Sequence, residues 1–149
     1  MKDFIISHIQ IDIAHQLGAD AVLLIQSLFD RGYCNLGLDE MITYAHSRNI
    51  EVLLETHTDD EFSRALTSQA DLVGINNRDL KTLDVDLNTT HRLLKKNASD
   101  GRIIVSESGI KSPENIRSLR MSGATAFLVG SAVMSSRDIE GKVRQLVEA

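Results

Sequence analysis

Residues 122–130 read SGATAFLVG: a small-residue step, a threonine, then an apolar run that closes on glycine. LGADAVLLI (17–25) and SQADLVGIN (68–76) repeat the arrangement of helix exit, small residue and apolar strand. A glycine or other small residue suits a helix C-terminus, so the shared piece is an αβ turn. Working outward from it, apolar runs recur at 3–6, 21–25, 51–55, 72–76, 103–108 and 126–130. Helical patterns fill the gaps at 8–17, 36–48, 59–68, 88–96, 112–122 and 137–148. In the last of these Ile139, Val143, Leu146 and Val147 fall on one face.

Near-continuous apolar strands alternating with amphipathic helices predict a parallel sheet covered by helices. The polar residues choose between the two common α/β designs. Lys2, Glu55, Asn76, Glu107 and Ser108 sit at strand ends or beside them, and the C-terminal rim of strands is where a TIM barrel builds its site. An open doubly wound sheet favours a glycine-rich first turn, and neither GxGxxG nor GxxxxGK[ST] occurs. The expected fold class is therefore α/β, of the TIM-barrel (β/α)8 family, as an incomplete barrel of six βα units with parallel strands. A complete barrel takes about 250 residues, with roughly 200 near the lower limit. This chain of 149 residues is read as a single domain over 1–149.

Composition narrows the function classes. Hydrophobic residues make up 42% and charged ones 25%, an ordinary globular balance. A net charge of −5 argues against a nucleic-acid or anionic-membrane surface. The lone Cys34 forms no intrachain disulfide, and no metal-ligand spacing is present. No apolar run reaches the length of a membrane span, and the start lacks a signal-peptide pattern. We expect a cytoplasmic protein with no metal and no cofactor.

VSESGI (105–110) and FLVGSAVM (127–134) each set a glycine beside a serine where a strand meets a loop. Glycine lets the backbone approach an oxyanion closely, and amides of a following helix can donate to phosphate. Each pair also fits an ordinary turn. Two pairs at adjacent strand ends bring phosphate binding level with that reading. Glu55 closes EVLLE and Glu107 lies within IIVSES. An acid at the end of a buried strand is either salt-bridged at the rim or tuned as a general base. Lys2 offers the opposite charge, or a solvated terminus. In GINNRDLKTLDVDL (74–87) a turn accounts for one asparagine, and less well for Asn76, Asn77 and Arg78 together. His57 reads as part of the cap of the next helix. Asp30, Arg31 and Cys34 read as surface loop, and Phe4, Phe127 and Val129 as core.

Taken together, KDFII, GADAVLLI, LLETHTDDE, VGINNRDLKTLDVDL, VSESGI and AFLVGSAVM resemble the indole-3-glycerol-phosphate synthase family, in order and over nearly all 149 residues. GINNRDLKT followed by SESGI is the most specific part. The resemblance implies a TIM-barrel enzyme of tryptophan biosynthesis. Such an enzyme converts 1-(2-carboxyphenylamino)-1-deoxyribulose 5-phosphate to indole-3-glycerol phosphate with loss of carbon dioxide and water. It implies that Lys2 is the general acid at the end of the third strand, and that Glu55 transfers protons during dehydration. Asn76 would orient the reacting groups, with Arg78 binding substrate close behind. Glu107 and Ser108 would face the substrate, and Gly109, Gly130 and Ser131 would cradle its phosphate.

Against that family the first two strands are missing, with the N-terminal helical extension and a glutamate and second lysine on the first strand. The chain is thus expected to start in mid-strand, at the family's third strand, and to be inactive alone. Its partner is a phosphorylated small molecule, and it is expected to self-associate through open barrel edges. Two other readings compete. One is a different phosphate-binding barrel, such as a phosphoribosylanthranilate isomerase or a tryptophan synthase α chain, which GINNRDLKT argues against. The other is a non-catalytic phosphate-binding or self-associating fragment.

Overall fold

A computed structural model describes every residue except Ala98 and Asp100. Five strands, β1 (Ala21–Ile25), β2 (Glu51–Thr56), β3 (Leu72–Asn76), β4 (Ile103–Glu107) and β5 (Ala126–Leu128), form one parallel sheet in sequence order. Among the described residues eight helices accompany them. They are α1 (His8–Gln16), α2 (Gln26–Asp30), α3 (Leu38–Ser47), α4 (Asp59–Thr67), α5 (Asn88–Lys96), α6 (Pro113–Met121), α7 (Ser131–Met134) and α8 (Ile139–Val147). By contacts the chain divides into two compact units, Met1–Gly74 and Ile75–Ala149.

In the first unit β1 pairs β2 in register from Ala21↔Glu51 to Ile25↔Glu55. Four of the five β1 residues are buried, as a strand covered on both faces requires. Helix α4 begins with a capping box: Thr58 Oγ1 accepts from the Glu61 amide, and the Glu61 carboxylate reaches back to the Thr58 amide. Helix α1 is fixed to α3 through Asp12, which accepts from Tyr44 Oη at 2.9 Å and from Arg48 Nε at 2.8 Å. The Arg48 guanidinium beside Asp12 holds that carboxyl below its ordinary value.

In the second unit β4 pairs β5 from Val105↔Ala126 to Glu107↔Leu128. Its core gathers Ile110, Ile116, Leu119, Ala124 and Leu146. Helix α6 starts on a Ser112–Asn115 capping box with Pro113 in the first turn, where a missing amide costs nothing. Helix α8 is seated by Leu146 and by Lys142 Nζ, which donates to the Lys111 carbonyl at 3.3 Å.

Several expectations need correction. Residues 3–6 are not a strand: side chains satisfy their backbone instead. Asp3 Oδ1 accepts from the Phe4 amide, and the Gln10 amide group bridges the Ile6 amide and the Phe4 carbonyl. Met1 meets the sheet edge, donating to the Ala21 carbonyl and accepting from the Leu23 amide, one rung of a parallel ladder. The first of the six expected units therefore has a helix without its strand. Phe4 is exposed rather than core, while Phe127 and Val129 are half-buried. Cys34 is buried rather than at the surface, with its Sγ donating to the Ile6 carbonyl. Asp30 ends the short helix α2, which the sequence reading had as loop, and takes a two-pronged bond from Arg64 at 2.9 and 2.6 Å. Val129 and Gly130 lie beyond β5.

Candidate functional site

In the first unit the candidate chemistry gathers at the end of β2. Glu55 is 1% exposed. Lys2 Nζ, on the residue after the one that pairs with β1, donates to Glu55 Oε2 at 3.2 Å. His57 brings Nε2 to 3.3 Å from Glu55 Oε1 and Nδ1 to 3.7 Å from Glu61 Oε2. A buried carboxylate is thus flanked by an ammonium and an imidazole, an arrangement able to hold and move protons. Lys2 is half-exposed, and its ammonium meets the buried Glu55 carboxylate. His57 does serve the cap of α4, its amide donating to Glu61 Oε2 at 2.7 Å, but its ring also abuts Glu55, which sequence reading missed.

Burial raises the Glu61 carboxyl, but the His57 ring and the His57 and Thr58 amides outweigh it and hold the carboxyl below its ordinary value. A depressed carboxyl stabilises the fold above its unfolded value, about 4.3, and that contribution is lost as pH falls through the folded value. Glu61→Gln should therefore be less stable than the parent at neutral pH. The gap should close as pH drops below about 4.3, as followed by urea midpoints. A gap that stays constant down to acid would contradict this.

In the second unit Asn76, at the end of β3, is buried, and its Oδ1 accepts from the Arg78 amide at 2.9 Å. Arg78 is half-buried, and its Nη1 donates to the Leu83 carbonyl, bracing its own loop. Within that loop Asp79 Oδ1 accepts from the Lys81 and Thr82 amides, and the Asp79 amide donates to the Asp84 carbonyl. Glu107 is 1% exposed at the end of β4.

Asn77, singled out by the doublet but given no role, is the hub here. It is 2% exposed, and its Nδ2 donates to Ser106 Oγ, the Glu107 carbonyl and the Ser108 carbonyl at 2.9–3.1 Å. Its Oδ1 accepts from the amide and the hydroxyl of Thr90, at 3.2 and 2.8 Å. Thr90 lies in the first turn of α5, whose N-cap Leu87 has no capping side chain. Asn77 therefore supplies from a strand end the acceptor that a local cap would give. It fixes Glu107 and Ser108 at the same time.

Ser108 and Gly109 both take left-handed backbone, φ 66° and 78°. Gly130 is the N-cap residue of α7, which Ser131 opens. Gly109 and Gly130 each follow by two residues a member of the register pair Glu107↔Leu128, so the two Gly-Ser turns leave adjacent strands at matching heights. Backbone amides at such turns are suited to an anion.

The indole-3-glycerol phosphate synthase family model matches residues 1–146. The chain belongs to this family. Over 150 residues it is 43% identical to an indole-3-glycerol phosphate synthase of Methanocaldococcus jannaschii, covering 99% of this chain and 53% of that protein. A synthase of Caldanaerobacter subterraneus subsp. tengcongensis is 41% identical, covering 99% and 54%. This synthase-family chain thus spans about half the length of the curated relatives it matches. Among solved structures it is similar to a thiamine phosphate pyrophosphorylase from Pyrococcus furiosus, with TM-score 0.70, 20% identity and coverage of 93% of this chain and 62% of that one. A mandelate oxidase mutant gives TM-score 0.68 at 18% identity, covering 99% and 55%. At such identities these likenesses speak to the fold alone. With the parallel sheet, TIM-barrel-like neighbours agree with a partial barrel. No helix among the described residues is long and apolar enough to cross a membrane.

Proposed function

We propose that this chain is a single-domain portion of an indole-3-glycerol phosphate synthase, corresponding to strands three to eight of the barrel. Within a completed enzyme it closes the indole ring of a phosphorylated anilino-ketose in the cytoplasm, as a carbon–carbon lyase releasing carbon dioxide and water. The observation that carries this reading is the Lys2–Glu55 contact at 3.2 Å about a buried carboxylate. Ring closure needs a proton at the ketone oxygen as the aromatic carbon attacks, and Lys2 is the donor. Dehydration then needs a proton moved, and Glu55 does so. In the second unit Asn76 orients the reacting groups, and Arg78, Glu107 and Ser108 bind and face the substrate. Gly109, Gly130 and Ser131 hold its phosphate by their amides.

The test is a turnover assay of the chain alone and of the chain completed with the remaining part of a synthase. Alone, activity should be negligible, because members of an interdependent catalytic set are not replaced by those that remain. Completed, it should turn over, and Lys2→Ala and Glu55→Gln should each lower kcat by roughly 10²–10⁴. Unchanged turnover in both variants would remove the assignment.

In isolation β1 and β5 end the sheet, with Met1 meeting the outer side of β1. Sheet edges of this kind invite pairing with another chain, so the isolated chain should self-associate as a non-catalytic species. Sedimentation at micromolar concentration should show species heavier than 16.5 kDa. A stable monomer would refute it.

A further inference from the structure

The ring of His57 has no part in the reaction as proposed, and capping α4 does not need it. That cap is made by backbone: the His57 amide donates to Glu61 Oε2 at 2.7 Å and the Thr58 amide at 3.3 Å. Any residue other than proline would supply the amide at position 57. Yet the ring is only 13% exposed, and both of its nitrogens are shut off from water. Burying polar nitrogens is costly unless partners face them. Here the partners are carboxylates, Glu55 Oε1 at 3.3 Å from Nε2 and Glu61 Oε2 at 3.7 Å from Nδ1. Both are ion-pair separations, just beyond the range of a closed hydrogen bond. The ring lies where two carboxylates want it, and the helix cap alone does not explain that.

The last torsion of a glutamate is broad and roughly two-fold, so a carboxylate held at one oxygen can still pivot. Glu55 meets Lys2 at Oε2, and that contact comes from a long, half-exposed side chain. The imidazole faces the other oxygen on a short, rigid ring, and Glu61 backs the ring from the first turn of α4. Glu61, His57 and Glu55 thus form one line, which ends on the group that moves protons in the proposed reaction. We infer that His57 is a positioning residue: it fixes the Glu55 carboxylate from the Oε1 side, with Glu61 as its own support. The inference rests on the proposed function for the reaction that Glu55 serves, whereas the contact can be tested without turnover.

Two measurements test it. In the chain itself, with nitrogen-15 in its histidine rings, the His57 resonances should move in Glu55→Gln and again in Glu61→Gln. Those of His91, which meets Ser122 and Ser118, should stay. In the chain completed with the rest of a synthase, His57→Phe keeps a ring without a donor. It should lower kcat roughly 10–100-fold, with KM changed less than about twofold. His57→Gln carries an amide N–H at about the reach of Nε2 and should recover most of the loss. His57 resonances blind to Glu55→Gln would overturn the proposal. So would a His57→Phe enzyme as fast as the parent, or two variants equally slow, since the ring would then be packing alone. A completed parent that does not turn over would count against the proposed function, while His57 resonances that answer to Glu55→Gln would still support the contact.

Discussion

Asn77→Ala should lower the stability of the fold by about 3 kcal/mol, at the upper end for a single substitution outside the apolar core. The side chain it removes makes five hydrogen bonds in a site closed to water. Some partners keep other contacts: Thr90 Oγ1 still meets Ser106 Oγ at 2.9 Å, and the Glu107 carbonyl keeps the Asn77 amide. The buried Thr90 amide and the part-buried Ser108 carbonyl lose these bonds, and a polar group left buried and unsatisfied costs about 1–3 kcal/mol. Asn77→Asp is the informative companion. It keeps the acceptor for Thr90 but turns an oxygen toward the Glu107 and Ser108 carbonyls, so it should be no milder. Urea midpoints at neutral pH decide the matter, and a loss below about 1 kcal/mol for both would show that the network is dispensable.

Gly109→Ala should cost about 2–3 kcal/mol. A Cβ there would lie 2.4 Å from Val85 Cγ1 and 3.3 Å from Leu87 Cδ2, and the backbone is left-handed at φ 78°. The left-handed conformation alone costs an L-residue about 1–2 kcal/mol. The clash adds less than a core overpacking would, because Val85 is 41% exposed and free to shift. Gly130→Ala is the contrast, with open space around its Cβ and φ −110°, and should leave stability nearly unchanged. In the proposed cradle both glycines face the same anion. Titrating inorganic phosphate into the parent should therefore move the amides of Gly109, Gly130 and Ser131 together. A titration that shifts other amides and leaves these still would dissociate the steric role of Gly109 from any phosphate role.

Periodicity located most of the elements because burial on both faces leaves an unbroken apolar run, and β1 and β3 were read to the residue. DFII misled for the same reason. A run of four apolar or polar-edged residues cannot report that Gln10, six residues beyond Phe4, will satisfy its backbone. Helix α2 has five residues, too few to show a period. Glu55, Asn76 and Glu107 were legible as polar residues at strand ends, whereas Lys2, read beside a strand, lies next to none of its own. The Asn77 network was not, since its partners Thr90 and Ser106 are 13 and 29 residues away and each reads as an ordinary hydroxyl. The α8 face was read correctly as apolar, yet sequence alone says nothing of what a face will meet.

The loop that carries Arg78 and Asp79 has a consequence in time. Several bonds that shape it span five residues or fewer, from Arg78 Nη1 to the Leu83 carbonyl down to Asp79 with Lys81. Contacts so local close in about 10–100 ns, long before a parallel ladder can assemble across a helical crossover. As the loop closes it carries the chain back on itself, so that the Asp86 amide meets the Asn77 carbonyl and Val85 bridges Arg78. Asn77 is then held at the mouth of a closed loop, waiting for β4. The later and slower event, the arrival of Ser106 and Glu107, finds the Asn77 donors already arranged.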